Sequence, residues 1–400
     1  MAYFTERIRG EPVVPRKRPQ HVPGLWRRVA RLTTQQTLRR GGALKAFEAR
    51  LSERLQGRQV TALGSGRYAL LMILRALEVP VGSTVVLASY NASCVPNALQ
   101  AAGYVPHFVD VDPDTLVLDP ACLPKKPQKQ LGAVILTHIE GSPGPVDAVR
   151  SWAQRCDVPL IEDAAHALGA TIDDQAVGTL GDAAIFSLGR GKHLNTLGGG
   201  LAVTRSEHAS KNLAQLAERL PVDSGWHLIR QALMETMVVS GTHPSLYAAL
   251  ALPALRIARR FGIDPMTMAF EDPKDALSAI PDAWARRLSN LQAELGLAGL
   301  DMFDRGLERR REIADELRSA LSDSLRLQRP LPHARPAWLE LTARVPDRDT
   351  FQRQLLARGV DTQRTWMDAC HALPGLAGPN QPDCPHATQV AAKSSPLPSF

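Results

Sequence analysis

The chain has 400 residues, of which 44% are hydrophobic and 22% are charged. Such a chain buries enough apolar surface for one large domain with a smaller one, or for two similar domains, and this excludes a disordered or collagen-like protein. The five cysteines are odd in number and include no CxxC pair. Neither a disulfide framework nor a zinc ribbon is indicated, so we expect a cytoplasmic protein without a metal site. The first 40 residues carry Arg and Pro where a signal peptide has an apolar stretch, so export is not expected.

The net charge of +7 is concentrated in the first 40 residues, which hold ten Lys or Arg against two Glu. Basic runs such as 16–18 and 27–28 predict a basic N-terminal arm over residues 1–42. Such an arm is first of all a solvated or subunit-packing segment, then a contact for acidic membrane lipid. Nucleic acid comes last and is not expected as a partner, because no nucleic-acid-reading motif accompanies the charge.

Beyond the arm, the spacing of Leu44, Phe47, Leu51 and Leu55 predicts an amphipathic helix. Short apolar runs then alternate with segments that are long enough for helices. This pattern predicts an α/β fold with a mainly parallel sheet covered on both faces. The strands are expected at 59–62, 84–87, 105–111, 133–136, 159–161, 183–186 and 200–203.

The strand rhythm stops after Thr204, and the chain is predicted to be helical to about residue 321. Strands at 325–331 and 339–345 and a helix at 350–358 then indicate a small α+β unit. We therefore expect a large domain at 43–270 with a helical insertion at about 205–280. A small C-terminal domain is expected at 271–400.

The insertion contains residues 236–255, which carry no formal charge. The SGTHPS sequence in their middle argues against a membrane-spanning helix, so two short helices are expected. They are predicted to form a buried subunit contact or a substrate lid. The alternative is an interfacial membrane patch completed by Arg256, Arg259 and Arg260.

Chemistry-bearing side chains follow two of the predicted strands. One strand ends in Glu162 and Asp163, with His166 just beyond, and another ends at Ser187 in a glycine-containing loop that carries Lys192. Ligands of open parallel sheets bind at the carboxyl ends of the strands. Lys192 therefore suits a Schiff-base lysine, with a surface lysine as the alternative.

The chain resembles the DegT/DnrJ/EryC1/StrS family of pyridoxal-phosphate-dependent sugar aminotransferases, in a divergent branch. The resemblance extends from about Leu44 to the end of the chain and rests on ordered motifs. These are SGRYAL from Ser65, ASY from Ala88, VDVDPDT from Val109, HIEGSP from His138, EDAAH from Glu162, VGTLGD from Val177, SLGRGK from Ser187, GGG from Gly198 and RLSNLQA from Arg287.

This resemblance implies the fold of aspartate aminotransferase, fold type I, and pyridoxal 5'-phosphate as the cofactor. Lys192 is then the catalytic residue that binds the cofactor covalently and moves the proton. Asp163 is implied to pair with the pyridine nitrogen, which tunes the electron sink. His166 is implied to contact the phenolic oxygen, with a core histidine as the alternative.

The cofactor phosphate is expected at the start of the helix that follows Ser65. Gly66, Arg67 and Tyr68 offer backbone donors there, and Ser187 adds a hydroxyl. The Arg67 side chain either contributes charge to the phosphate site or points to solvent.

Two positions depart from the family pattern. Ala92 occupies the position of the aromatic residue that stacks on the cofactor, so either Tyr90 covers the ring or the stack is absent. Ala285 occupies the position of an asparagine that reaches across the dimer interface.

The function implied is transfer of an amino group, from glutamate, to a keto sugar that is nucleotide-linked, for amino-sugar and polysaccharide biosynthesis. The small-molecule partners are an amino donor and a keto acceptor, and a homodimer is implied. One alternative is a non-sugar or lipid-linked ketone as acceptor. Another is a catalytically inactive structural or regulatory homologue, against which the presence of both Lys192 and Asp163 argues.

Overall fold

The structure is a computed structural model that describes residues 13–16, 19, 24–125, 130–261, 277, 279–362, 365–376 and 381–397. Its helices are α1 (Leu25–Thr34), α2 (Ala43–Arg54), α3 (Gly66–Ala76), α4 (Cys94–Ala101), α5 (Val146–Cys156), α6 (Glu207–Glu218), α7 (Gly225–Gly241), α8 (Pro244–Leu246), α9 (Leu252–Arg260), α10 (Asn290–Leu321), α11 (Arg348–Ala357) and α12 (Pro385–Lys393). A π-helical segment, Tyr247–Ala251, joins α8 to α9, and short 3-10 turns lie at Pro120–Cys122, Ile139–Gly141 and Cys370–Ala372.

The strands are β1 (Gln59–Leu63), β2 (Thr84–Ala88), β3 (Tyr90–Ala92), β4 (Val105–Val109), β5 (Leu131–Thr137), β6 (Leu160–Asp163), β7 (Thr171–Ile172), β8 (Gln175–Ala176), β9 (Ala183–Ser187), β10 (Gly200–Thr204), β11 (Arg326–Leu327), β12 (Ala334–Arg335), β13 (Leu341–Arg344), β14 (Met367–Ala369) and β15 (Ser394–Leu397). Seven of them form the central sheet in the order β1-β10-β9-β6-β5-β2-β4.

Only β10 runs against its neighbours in this sheet, pairing antiparallel with β1 and β9. The other adjacent strands are parallel. All seven strands predicted from the sequence are present, so the expected mainly parallel sheet is confirmed. The strands β5, β6 and β9 are buried along most of their length, as a sheet covered by helices on both faces requires.

The second half of the chain does not separate cleanly from the first. The long helix α10 packs its N-terminal part with α2 through Phe303 and Leu307, whereas Leu317 and Leu321 join the core of the small sheet β11-β13-β15. The expected boundary at 270/271 lies outside the described residues, and residues well beyond it still belong to the large core. We therefore propose a domain boundary inside α10.

The segment predicted as a basic arm is partly built into the body of the protein. Helix α1 buries Leu25, Val29 and Leu32 against α7 and the start of α10. This packing is explained by the apolar face of α1. The prediction of an arm considered the number of basic residues in this segment and not the spacing of its apolar ones. A solvated arm is therefore wrong for residues 25–38, while Lys17 and Arg18 lie outside the described residues.

The described part of the insertion is largely helical between residues 207 and 260 and breaks at Thr242 and His243, so the two helical segments expected there are present. Among the described residues, no helix is long and apolar enough to cross a membrane.

A buried carboxylate ties three distant segments together. Asp361 has no exposed surface and accepts hydrogen bonds from Arg16 at 3.2 Å, Arg259 at 3.0 Å and the Tyr247 hydroxyl at 2.7 Å. A buried charge is tolerated only when partners of this kind compensate for its lost hydration. The N-terminal segment, the insertion and the C-terminal region are therefore joined at this point.

We expect Asp361→Asn to lower the free energy of unfolding by about 3–5 kcal/mol, because it leaves two arginines without their buried counter-charge. The control is Asp301→Asn. Asp301 bonds Arg50 at 2.7 Å but its side chain is 65% exposed, so its loss is expected to cost at most about 1 kcal/mol. Urea denaturation followed by circular dichroism measures both, and equal effects would contradict the anchoring role of Asp361.

Candidate active site

The candidate site lies where β6 and β9 end, at the carboxyl edge of the central sheet. Asp163 is the last residue of β6 and pairs in register with Ile185, two residues before Ser187 at the end of β9. Strand register alone thus brings the carboxylate next to the loop that carries Lys192. Asp163 is buried, while Ser187 and Lys192 are partly exposed.

The charge of Lys192 acts on the pKa of Asp163. Burial raises the pKa of Asp163, and this rise is opposed by the N–H of Ala165, which donates to Oδ1 at 3.1 Å, and by the positive charge of Lys192. A buried carboxylate whose pKa is raised is under-compensated in the protein alone. A cationic group brought against Asp163 is therefore stabilised by it.

The start of α3 lies beside the end of β9. Ser65 caps the helix and accepts from the N–H of Tyr68 at 3.1 Å. The N–H groups of the first turn of a helix point away from its body, toward whatever lies beyond its start. A Cβ on Gly66 would lie 3.4 Å from the Cβ of Ser187. The helix start and Ser187 are thus neighbours, an arrangement that suits the phosphate site we expect there.

The strand β10 approaches this helix start so closely that it requires a glycine. A Cβ on Gly200 would lie 2.4 Å from the backbone N of Gly66. Gly200, the last glycine of the GGG motif, therefore permits the close contact between β10 and the start of α3.

Lys192 lies in the loop between β9 and β10, residues 188–199, which we call the lysine loop. Its base is closed by the N–H of Leu188, which donates to Gly199 O at 2.9 Å, and by the N–H of Thr196, which donates to Leu188 O at 3.0 Å. The backbone N–H of Lys192 donates to Gly189 O at 3.1 Å and forms a turn within the loop. The lysine is thus carried on a closed loop between two strands of the sheet.

Glu162, next to Asp163, has a role that the sequence analysis did not assign. Its carboxylate accepts from the N–H groups of Gly178, Leu180 and Gly181 at 2.6–2.9 Å, and from His138 Nε2 at 3.1 Å. His138 Nδ1 accepts from a backbone N–H at 3.0 Å, which makes Nε2 the protonated nitrogen of the neutral ring. Burial opposes the charged form of Glu162, but these donors outweigh it and lower its pKa. The sequence does contain a signal for this role of Glu162, because a charged residue inside an otherwise apolar strand must find buried hydrogen-bond donors.

His166 lies at the edge of the site, with its Nδ1 3.6 Å from Glu140 Oε2. Its side chain is only 10% exposed. The pKa of the buried His193 is lowered first by burial and then by nearby groups that include Arg310, His166 and Lys192. His166 therefore lies near the loop that carries Lys192, and its contact with the cofactor stays a prediction.

Tyr90 does not take the place of the missing stacking residue. Its side chain has no exposed surface, and its hydroxyl lies 3.2 Å from Thr365 Oγ1. Burial raises its pKa. The strand β3 pairs with β14, which brings Tyr90 opposite Ala369 and covers it. In this conformation Tyr90 offers no face to a ligand, and the expected cofactor contact is not supported.

Arg67 lies in the first turn of α3, and its contact with the cofactor phosphate stays a prediction. Its guanidinium stacks on the ring of Trp284, 4.2 Å from the ring centre. The N–H of Gly64 donates to Arg286 O at 2.7 Å, which holds the segment containing Ala285 beside the start of α3. A cation–π contact of this kind holds the guanidinium of Arg67 over Trp284, next to the start of α3.

Together these groups fit pyridoxal phosphate. The helix terminus with the Ser187 hydroxyl suits a phosphate, and the amine of Lys192 suits an aldehyde. The under-compensated carboxylate of Asp163 suits a protonated ring nitrogen. The donor set thus matches three of the polar groups of the cofactor, namely its phosphate, its aldehyde and its ring nitrogen.

We expect Glu162→Gln to lower the free energy of unfolding by roughly 2–3 kcal/mol at pH 7, because the backbone donors lose their charged acceptor. The pKa of Glu162 is lowered in the folded state, so its contribution is complete above its ordinary value of 4.5 and is lost as the pH falls below that value. The difference between wild type and variant should therefore shrink below about pH 4.5 in urea titrations.

The matched control is Glu78→Gln, since Glu78 also pairs with a histidine, His208, at 3.3 Å, but both side chains are 70% exposed. It should change stability by less than about 1 kcal/mol at any pH. A pH-independent effect of Glu162→Gln would contradict the assigned role of its charge.

Comparison with known proteins identifies the family. The model of the DegT/DnrJ/EryC1/StrS aminotransferase family matches residues 25–223 and 256–400. The chain is 27% identical over 362 residues to the dTDP-3-amino-3,4,6-trideoxy-alpha-D-glucose transaminase of Streptomyces venezuelae, covering 90% of this chain and 82% of that enzyme.

Two further relatives match over shorter stretches. The putative pyridoxal phosphate-dependent aminotransferase EpsN of Bacillus subtilis is 34% identical over 185 residues, which are 45% of this chain and 48% of EpsN. The protein MosB of Rhizobium meliloti is 33% identical over 175 residues, which are 44% of this chain and 34% of MosB.

Among solved structures, the aminotransferase TlmJ of Streptoalloteichus hindustanus is similar, with a TM-score of 0.73 and 26% identity over 96% of this chain and 93% of that one. The fold and the motifs agree with these matches. The chain belongs to the DegT/DnrJ/EryC1/StrS aminotransferase family and is a pyridoxal-phosphate-dependent aminotransferase of fold type I.

Proposed function

We propose that this aminotransferase transfers the amino group of glutamate to the keto carbon of a nucleotide-linked sugar, as a cytoplasmic homodimer in amino-sugar biosynthesis. The observation that carries the proposal is the convergence of Lys192, Asp163 and the start of α3 at one edge of the sheet. The relative from Streptomyces venezuelae, whose name states a dTDP-linked amino sugar, supports the choice of acceptor.

Pyridoxal phosphate, when bound, supplies an aldehyde that accepts the amino group and a ring that delocalises the electrons released at the α-carbon of the donor. The residues of the chain supply everything else. The Nζ amine of Lys192 anchors the cofactor and, once displaced by the donor, moves the proton from the donor carbon. Asp163 holds the positive charge at the ring nitrogen, and the first turn of α3 holds the phosphate.

A cavity beside the lysine loop supports an anionic acceptor. It has a volume of about 370 Å³ and is lined in part by Arg190, Arg230, His227 and Gln231. Arginines are favoured for binding phosphate groups because their planar donors match the oxygen geometry. We propose that this cavity accepts the diphosphate part of the sugar nucleotide.

Exposed apolar side chains on the inserted helices support a homodimer. Trp226 is 75% exposed, Leu250 68% and Phe261 77%. Large apolar side chains that are left exposed on several segments favour a contact surface in this region. Light scattering should give about twice the chain mass of 43.5 kDa. A monomer at micromolar concentration would contradict this part of the proposal.

The half-reaction with an amino donor tests the function. The enzyme is reconstituted with pyridoxal phosphate and mixed with glutamate, and the absorption of the bound cofactor is followed to that of its amine form. Conversion supports a glutamate-dependent aminotransferase, and dTDP-linked 3-keto and 4-keto sugars are then screened for recovery of the starting spectrum. Conversion without recovery by any sugar nucleotide would favour a non-sugar or lipid-linked ketone.

Two variants separate the roles of the central residues. Lys192→Ala should retain cofactor non-covalently but lose borohydride-stable attachment and all turnover, because no other amine takes its place. Asp163→Asn should remain folded and keep the attachment, yet lose several powers of ten in rate, because the ring nitrogen loses its counter-charge. Mass spectrometry after reduction and single-turnover kinetics measure both effects. Turnover by Lys192→Ala, or near-normal rates for Asp163→Asn, would contradict the assignment.

A further inference from the structure

The inner face of α7 carries a carboxylate at a position where an apolar residue is expected. The buried residues of this helix are Leu228, Ala232 and Glu235, spaced four and three residues apart on one face. The first two join an apolar cluster with Leu197, at the end of the lysine loop. The third continues the same face and is only 5% exposed.

Glu235 contacts the lysine loop at two points. Its Oε2 accepts from Arg190 Nε at 2.7 Å, and its Oε1 accepts from Asn195 Nδ2 at 2.7 Å. Asn195 in turn uses its Oδ1 to accept from the N–H of Leu197 at 2.9 Å. The two oxygens of one carboxylate thus hold residues on both sides of Lys192.

We propose that Glu235 is the positioning residue for Lys192, fixing the lysine loop by bridging Arg190 and Asn195. The hydrogen bonds between Leu188, Thr196 and Gly199 close the base of this loop, whereas Glu235 holds the part that projects beyond the base. The inference rests on the proposed role of Lys192 as the point of cofactor attachment.

Burial of Glu235 favours this role over that of a general stabiliser. A buried ion pair contributes little net stability compared with apolar packing, since both groups lose hydration. Its two strong hydrogen bonds instead restrict the loop to one conformation. A loop that is released from Glu235 spends less time in the arrangement that presents Lys192, and the apparent rate of attachment falls in proportion.

Limited proteolysis of the protein without cofactor tests the position of the loop directly. Trypsin cleaves after Arg190 and Lys192, and the ordered loop should resist it. We expect Glu235→Ala to accelerate cleavage at Lys192 about 10- to 100-fold, the factor expected for losing a charged hydrogen bond. Glu235→Gln retains an oxygen for Asn195 and should give a smaller increase.

Attachment of pyridoxal phosphate gives the second readout. The visible band of the bound cofactor should appear more slowly in Glu235→Ala, by a similar factor. The pH dependence of that band should also shift, because the surroundings of Lys192 have changed. The control is Glu207→Gln in α6, whose carboxylate pairs with Lys211 at 2.8 Å on the surface. It should match wild type in both assays.

A neutral pair provides the rescue. Arg190→Gln alone leaves the buried charge of Glu235 without its counter-charge, whereas the double variant Arg190→Gln, Glu235→Gln removes both charges and permits an amide–amide hydrogen bond. Protection from trypsin in the double variant should exceed that of Arg190→Gln. Urea denaturation of each variant separates loop release from global unfolding, because cleavage measured without urea reports on the loop as long as the variant remains folded.

The outcomes distinguish this inference from the proposed function. Wild-type cleavage and attachment rates in Glu235→Ala, or changes that only follow a lowered denaturation midpoint, would overturn the positioning role. Borohydride-stable attachment that persists in Lys192→Ala would instead overturn the proposed function, whatever the effect of Glu235.

Discussion

Two adjacent carboxylates at the end of β6 set the conditions for the whole site. Neighbouring residues of a strand point to opposite faces of the sheet, so Glu162 and Asp163 must be accommodated in different surroundings. Three backbone N–H groups and His138 satisfy Glu162. Asp163 has fewer donors, and burial raises its pKa. The difference leaves one carboxylate as part of the framework and the other ready to stabilise a cation.

The framework carboxylate also organises the sequence that precedes β9. The N–H groups that bond Glu162 belong to residues 178–181, and β9 begins at Ala183. Glu162 therefore helps to set where β9 starts, and the register of β9 against β6 sets how far Ser187 and the lysine loop lie from Asp163. A polar group buried in the sheet thus acts on the site through strand register.

The sequence was sufficient for the parts of the molecule that depend on local pattern. Buried strands, the capped start of α3 and the loop glycines all have local signatures, and their positions agree with the structure. Contacts between remote segments have none. Tyr90 is covered because β14, almost 280 residues later, pairs with β3. Arg67 stacks on Trp284, more than 200 residues away. Tyr90 was expected against the cofactor, and its distant partner, like that of Arg67, has no local signature in the sequence.

The insertion illustrates the same limit and shows what such a segment contributes. Its uncharged stretch, residues 236–255, was expected to form a subunit contact or a substrate lid. The residue that we propose to act on the site is instead Glu235, on the inner face of α7. Leu228 and Ala232 bring the helix to the lysine loop by apolar packing, which is not directional. The hydrogen bonds of Glu235 then add direction, because a carboxylate fixes its donors within a narrow range of distance and angle. Packing alone would place the helix, and the proposed bridge from Glu235 to Arg190 and Asn195 would add a fixed orientation to the loop that carries Lys192.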